Sequence, residues 1–341
     1  MQSAPAAVAI NARAAVRVQI GGVERLAREM ALRLPALAPD RYRVIRPPVA
    51  FAHRAGHFWE QVALPWRSAG CALVYSPANL APALSRRNVL VVHDAAPFRY
   101  PQAYSRTYAA YQQRVLPLLA HRARLLITVS EFSRGELVEL LDIPARCVRV
   151  IPEGVDERFR PDVGTSAVRE LYGLTRPYVL VVGTVSVRKN LEALAPAVRA
   201  LAKRGVEVVL AGSNRHYMRG SPTPLRRLGY VAEQHLPALY AGALAFAMPS
   251  LYEGFGLPCL EAMACGVPVV ACARGALPET VGEAGLVVEP EEFPDAVIAA
   301  AGDDSVRARL RQTGLRRAAR YSWTRTAKLT DEAIGEVLRY A

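Results

Sequence analysis

The chain has 341 residues, just over half of them apolar and about a fifth charged, which excludes a disordered chain and points to two domains of roughly 150–170 residues each. Five cysteines, Cys71, Cys147, Cys259, Cys265 and Cys272, form no C-x-x-C pair, which argues against a zinc site or a disulfide framework and leaves reduced thiols in core or loop. The net charge of +13 is uneven: residues 1–160 carry 22 arginines against 12 acids, a net of +10, while residues 161–341 carry 21 basic residues against 18 acids, a net of +3.

Such a bias suits an anionic partner, either nucleic acid or an anionic leaflet. A scattered, solvated basic surface is an equal alternative, because the arginines are spread along the chain. Only three lysines occur, Lys189, Lys203 and Lys328, so arginine is the default cation and each lysine is worth inspecting. No apolar run approaches the ~18–20 residues that span a bilayer. Met1 to Ile10 lacks a basic n-region and runs straight into Asn11 and Arg13, so a cytoplasmic protein without a secretory signal is expected.

In chain order, short β-branched runs alternate with amphipathic segments of helical length. The first long helical pattern is Val23 to Leu34. It is followed by a strand at Val89 to His93, a helix at Tyr104 to Ala120, a strand at Leu125 to Val129, a helix at Ser133 to Leu140 and a strand at Val148 to Ile151. A stretch rich in Pro, Gly and acids near 155–175 reads as the linker. Beyond it come strands at Tyr178 to Val182, Val206 to Ala211, Ala245 to Met248 and Val267 to Ala271, a helix at Leu191 to Lys203, and a terminal helical pattern at Tyr321 to Tyr340. This alternation predicts an α/β protein with parallel sheets and crossover helices.

Four places combine chemistry with position. Gln19-Ile20-Gly21-Gly22 precedes the first long helix, where backbone can approach an acceptor or a phosphate closely. Val89 to Asp94 is an apolar strand that emits His93 and Asp94 at its carboxyl end, where open α/β sheets bind ligands. A lone histidine is usually structural, and Asp94 reads as a capping or orienting residue. Val181 to Asn190 places Arg188 and Lys189 in a turn after Gly183 and Thr184, with a helix expected to open near Asn190. Adjacent cations there would counter charge developing on a diphosphate, or would be a solvated basic turn.

The most informative window is Pro249 to Val270. A strand leads through the turn Glu253-Gly254-Phe255-Gly256-Leu257 into a helix expected to start at Pro258 and end at Gly266, with Glu261 in its first turn. A glutamate there can accept paired hydrogen bonds from vicinal hydroxyls such as those of ribose, while free N–H groups at the helix start suit phosphate. By spacing alone, the plainer interpretation is favoured, with Glu253 a helix cap and Glu261 an acid complementing the dipole.

Residue identity changes that balance. Glu-Gly-Phe-Gly-Leu-Pro, the second glutamate at Glu261 and the Ala-Met-Ala-Cys-Gly-Val-Pro-Val-Val tail resemble the signature of glycosyltransferase family 4, in which two glutamates flank seven residues. Gly183-Thr184 with Arg188-Lys189-Asn190, Val-Val-His-Asp at 91–94, Val129-Ser-Glu-Phe-Ser-Arg, Ile151-Pro-Glu-Gly-Val-Asp and Leu277-Pro-Glu-Thr-Val-Gly extend the likeness over nearly the whole chain, nearest the mannosyltransferase-like members. Two departures stand out: Thr184 lies where some members carry arginine, and Ile20 where a small residue is usual.

The resemblance implies two Rossmann-like domains facing across a cleft, the GT-B arrangement. Residues 1–160 would bind the acceptor, residues 161–320 the nucleotide sugar, and residues 321–341 would form a helix crossing back to the first domain. It implies metal-independent transfer with retention. The donor would meet Gly183, Thr184, Arg188, Lys189, Glu253, Gly254, Phe255, Gly256, Leu257 and Glu261. Arg188 and Lys189 would stabilise the departing phosphates, Glu253 would hold the sugar hydroxyls and Glu261 the ribose. Gly21, Gly22 and His93 would serve the acceptor side, His93 as a positioning and charge-stabilising group. No cofactor is implied. The donor would be a GDP- or UDP-linked sugar and the acceptor a saccharide or lipid-linked saccharide in cell-surface polysaccharide synthesis, with peripheral contact to an anionic membrane at its inner face. A non-catalytic nucleotide-sugar-binding protein is the alternative. A glycosyl hydrolase fits the expected fold poorly, and a nucleic-acid binder lacks a reading motif.

Overall fold

In a computed structural model that describes residues 7–48, 51, 56–212, 217–220 and 222–340, twelve strands form two six-stranded sheets, with every pairing parallel. The chain divides into two units. One holds Met1–Phe98, Ala110–Gly154 and Trp323–Ala341, and the other holds Arg99–Ala109 and Val155–Ser322. The division thus falls at residue 154, and a short stretch from the first half of the chain belongs with the second unit.

The first unit carries β1 (Val8–Asn11), β2 (Tyr42–Ile45), β3 (Leu73–Ser76), β4 (Asn88–Val91), β5 (Leu125–Thr128) and β6 (Val148–Val150), in the order β2-β1-β3-β4-β5-β6. β1, β3 and β4 are buried along their whole length, as strands covered by helices on both faces must be. Strands β1 to β3 have no counterpart in the sequence-based expectation; Tyr42–Ile45, for one, is interrupted by the exposed Arg43 and carries no apolar run to separate it from loop. Of the opening residues expected to lack a leader, 1–6 lie outside the described residues, and Val8, Ala9 and Ile10 are core. Helices α1 (Gly22–Leu37), α2 (Arg106–Arg122) and α3 (Glu131–Leu141) follow β1, β4 and β5. Ser130 caps α3 by accepting from the Ser133 N–H at 3.0 Å.

The second unit carries β7 (Tyr178–Val182), β8 (Glu207–Ala211), β9 (Arg226–Gly229), β10 (Ala245–Met248), β11 (Val269–Cys272) and β12 (Leu286–Val288), in the order β12-β11-β10-β7-β8-β9. Numbered within the unit, this is the 3-2-1-4-5-6 order of nucleotide-binding Rossmann sheets, whose direction of growth reverses between β7 and β10. Edge strands β9 and β12 were not expected; β9 exposes Arg226 and Arg227 and has no apolar alternation to betray it. The expected helix at Leu191 to Lys203 is a 3-10 turn, Leu191–Leu194, running into α4 (Ala195–Ala202). Two further helices are α5 (Leu257–Ala264) and α6 (Asp304–Ala318). The core packs Val179, Val181, Leu210 and Val270 against Leu194, Leu201, Phe293 and Val297.

The terminal helix α7 (Trp323–Leu338) returns to the first unit. Its Asp331 accepts from Arg41 and from the Tyr42 hydroxyl, each at 2.6 Å, and Thr326 donates to the Pro152 carbonyl at 2.8 Å. No helix is long and apolar enough to cross a membrane, among the described residues. All five cysteines are free; Cys147 is exposed and the rest are buried.

Candidate active site

The second unit builds its site from the loops that leave β7 and β10, on either side of the point where the strand order reverses. Such a point opens a crevice, because the two loops diverge to opposite faces of the sheet. After β7 the backbone passes Gly183 at φ +150 and turns through a 3-10 segment, Val187–Lys189, that ends on Asn190 at φ +49. No α-helix opens at Asn190; its left-handed backbone closes the turn instead. Gly183 and Gly212 meet backbone to backbone, and a Cβ on Gly212 would lie 1.8 Å from the Gly183 carbonyl oxygen. A Cβ on Gly183 would lie 3.1 Å from Lys189 Cε and 3.2 Å from its Nζ, so this glycine makes room for the lysine. Thr184 beside it is half-buried.

Arg188 and Lys189 are both buried, and both reach Glu253. Lys189 Nζ lies 2.5 Å and an Arg188 Nη1 3.3 Å from Glu253 Oε1. Arg188 also donates to the Tyr252 carbonyl, and its own carbonyl accepts from the Leu251 N–H at 3.0 Å, so the two loops are cross-linked through backbone and side chain together. Burial by itself raises the Glu253 carboxyl. The charges of Lys189 and Arg188, with hydrogen bonds from Lys189 and Ser250, outweigh it and hold the group at about 2. Glu253 is therefore a carboxylate fixed by cations, and the helix-cap alternative is excluded. The N-cap of α5 is Gly256, at φ +97, with no side-chain cap.

The loop is pinned from behind. Ala276 donates its N–H to the Glu253 carbonyl at 2.9 Å, and Gly275, at φ +62, lets that backbone approach, since a Cβ there would fall 2.7 Å from Glu253 N. The Thr280 hydroxyl donates to the Phe255 carbonyl, and the buried Phe255 ring meets Tyr321 edge-on at 5.9 Å. Leu257 is the first residue of α5, with Gly254 in the loop before it. Glu261 lies in the second turn of that helix and not in the first, because the helix starts at Leu257, one residue before Pro258. It is buried and accepts a hydrogen bond from the Tyr240 hydroxyl at 2.9 Å, so a dipole-complementing acid on a solvated first turn is not its role.

In the first unit, His93 follows β4 and is buried. Its Nε2 lies 3.0 Å from the Pro77 carbonyl oxygen and its Nδ1 3.2 Å from Glu153 Oε1, a contact that is electrostatic before it is a well-directed hydrogen bond. Burial lowers the imidazole, but Glu153, the Pro77 carbonyl and the charge of Asp94 more than offset this and raise it above the ordinary histidine value. Both ring nitrogens thus face protein acceptors, an arrangement that favours the protonated ring. Its backbone N–H donates to Asn79 Oδ1 at 2.8 Å and its carbonyl accepts from Ser133 Oγ at 3.0 Å. Asp94 caps the next turn through the Ala96 N–H at 2.9 Å. Gly21 is the N-cap of α1, its N–H donating to Glu24 at 3.0 Å, and a Cβ on Gly22 would lie 3.9 Å from Glu153 Oε2. Glu153 therefore stands between the expected acceptor-side groups Gly22 and His93.

Glu153 was not singled out from the sequence, although it sits in the Ile151-Pro-Glu-Gly-Val-Asp segment that carried part of the resemblance. Tyr100 was missed too. Its ring lies 5.6 Å from that of Tyr252, next to Glu253, a contact with no local signal. Among the described residues no group of three His, Cys, Asp or Glu side chains is arranged to hold a metal ion.

Two parallel six-stranded units, the second with a nucleotide-binding strand order and a cation-fixed glutamate at its reversal point, define a protein of the GT-B glycosyltransferase class. Residues 20–159 match the family model for Glycosyltransferase Family 4 and residues 176–303 that for Glycosyl transferases group 1. The chain is 34% identical over 270 residues to O-antigen chain mannosyltransferase B of Escherichia coli, covering 74% of this chain and 71% of that protein. It is 28% identical over 282 residues to the serotype-specific mannosyltransferase WbdA of Escherichia coli, covering 74% of this chain but only 34% of that longer protein. In fold it is similar to sucrose-phosphate synthase from Thermosynechococcus elongatus (TM-score 0.77, 21% identity, 98% and 99% of the two chains). It is similar too to Anabaena Alr3699/HepE in complex with UDP-glucose (TM-score 0.73, 20% identity, 96% and 99%). The chain belongs to glycosyltransferase family 4, in its mannosyltransferase-like group, and is a glycosyltransferase.

Proposed function

We propose that this chain transfers a hexose, mannose as the first choice, from a nucleotide diphosphate donor to a saccharide or lipid-linked acceptor with retention at the anomeric carbon, in cell-surface polysaccharide synthesis. The observation that carries this is the convergence of Lys189 and Arg188 on Glu253 where the strand order reverses between β7 and β10. The mannosyltransferase relatives favour the sugar. The bond from the anomeric carbon to the β-phosphate oxygen breaks, the acceptor oxygen bonds to that carbon on the same face, and the acceptor proton passes to the departing phosphate. Arg188 and Lys189 meet the charge that develops there, so the scheme calls for no metal and no cofactor. Glu253, held ionised, accepts from sugar hydroxyls, and Glu261 from the ribose. Gly183, Thr184, Gly254, Phe255, Gly256 and Leu257 line the donor. Gly21, Gly22 and His93, oriented by Glu153, serve the acceptor. A site for a membrane-borne acceptor fits a cytoplasmic protein that touches the inner face of the membrane.

A thermal-shift panel of GDP- and UDP-linked sugars, followed by product analysis on the best stabiliser, tests this. One nucleotide sugar should raise the melting temperature with its occupancy, and its product should keep the donor's anomeric configuration. Stabilisation without transfer to any saccharide would replace this by a nucleotide-sugar-binding protein. No stabilisation by any donor would remove the donor site itself.

A further inference from the structure

Arg188 and Lys189 converge on a single atom. Both reach Glu253 Oε1, at 3.3 Å and 2.5 Å, and the side chains of Arg188, Lys189 and Glu253 keep 8%, 10% and 13% of their surface, so the cluster is largely enclosed yet still reachable. Met248 Sδ lies beneath it, 4.0 Å from Lys189 Nζ, and Ser250, which hydrogen-bonds to the Glu253 carboxylate, donates to the same sulfur at 3.3 Å. The charges that bear most on Glu253 are those of Lys189 and Arg188. Two cations and one carboxylate leave this cluster with a single positive charge.

That balance matters because donor and product differ in charge. A diphosphate bonded to a sugar carries one negative charge on each phosphate. When the bond to the anomeric carbon breaks, the terminal phosphate becomes a monoester. The acceptor proton it takes up is lost to water above about pH 6, so at about pH 8 the free nucleoside diphosphate carries one negative charge more than the donor did. Two enclosed cations with no counter-charge would hold this product more tightly than the donor, and its release would limit turnover. Glu253 acts against that in two ways. Its charge, set against the same ammonium and guanidinium groups, disfavours the product more than the donor. Its oxygens also accept from sugar hydroxyls, which the product lacks. A neutral amide could do the second of these and not the first, which gives a reason for an acid at this position.

We propose that Glu253 is an electrostatic selector, which lowers the affinity of the second unit for free nucleoside diphosphate relative to nucleotide sugar and so promotes product departure. The proposal deepens the donor-site reading given above and rests on it.

Calorimetry on the full chain at about pH 8 tests it, with GDP, GDP-mannose, UDP and UDP-glucose titrated into the parent, Glu253→Gln and Glu253→Asp. The parent should bind one of the two nucleotide pairs. The free diphosphate of that pair should bind Glu253→Gln at least about tenfold more tightly than the parent, while the nucleotide sugar gains less. Glu253→Asp keeps the charge, so its affinity for the free diphosphate should stay within about threefold of the parent's, even where donor affinity falls with the shorter side chain. Unchanged or weaker diphosphate binding by Glu253→Gln overturns the selector and leaves the donor site standing. Diphosphate binding tightened in Glu253→Asp overturns it too, and this variant, which retains a carboxylate for the two cations, decides the matter where Glu253→Gln does not fold. If the parent binds none of the four nucleotides, the donor site falls and the selector with it.

Discussion

The two units solve opposite electrostatic problems at the same place in the fold, the carboxyl end of a parallel sheet. In the second unit two buried cations hold the Glu253 carboxylate, whose value falls to about 2. In the first, the Glu153 carboxylate holds a buried imidazole, whose value rises. The second site is pinned on three sides by glycines at positive φ and by backbone hydrogen bonds across loops; the first hangs on side-chain bonds from Asn79 and Ser133. The difference teaches that the second site, the donor side in the proposed function, is built to place charge rigidly, and the first, the acceptor side in that proposal, to orient one imidazole. Stabilising a transition state demands charge already in place, because reorganisation during the reaction would cost what the charge contributes.

The comparison is tested most strongly at Lys189. Lys189→Ala should lower turnover by about 10²-fold or more with a smaller loss of donor affinity; steady-state kinetics showing loss of apparent affinity alone would make the cations binders only. Next comes the backbone. Gly212→Ala forces a methyl group onto the Gly183 carbonyl at a φ of +155, and should destabilise the chain by about 2–3 kcal/mol, read in denaturant melts with donor absent. A melt superimposable on the parent's would mean that the β7 and β8 ends yield easily.

Glu261→Ala should weaken donor binding by about 1–3 kcal/mol if the ribose pairs with it. Calorimetry on the folded variant measures this, and equal affinity would return Glu261 to a purely structural partnership with Tyr240. The smallest effect is expected in the first unit. His93 is raised on folding, so its stabilisation is complete below the unfolded value near 6.5 and is lost as pH rises through the folded value. Glu253 is lowered, so its stabilisation is present above the unfolded value of 4.5 and is lost as pH falls toward about 2. Glu153→Gln should return the His93 titration toward the ordinary value, followed by its imidazole proton resonances. An unmoved titration would show that the Pro77 carbonyl suffices.

Long, patterned elements were legible without coordinates. Val23 to Leu34, Tyr178 to Val182 and Ala245 to Met248 are found where amphipathic spacing or a β-branched run put them. The family followed from residue identity in the Glu253 to Glu261 window and the Arg188-Lys189 turn. Strands β1, β2, β3, β9 and β12 escaped although other strands as short did not; β2 and β9 carry exposed arginines in place of an apolar run, and it is pairing with a neighbouring strand that gives all five their strand character. Glu261 was placed one turn too early because Pro258 suits either of the first two helical positions, and only the left-handed backbone at Gly256 decides which.

What the amino-acid order determined by itself was therefore local: where apolar faces repeat, where glycine permits a tight turn, which residue types stand ready at strand ends. Tertiary structure alone decided which of these meet. Glu153 reaches His93 from sixty residues away in sequence because β6 and β4 both flank β5 in one sheet. Lys189 reaches Glu253 because β7 and β10, distant along the chain, are hydrogen-bonded neighbours. Charge pairing depends on separation in space, and a parallel sheet with crossovers makes neighbours of residues whose order along the chain carries no trace of it.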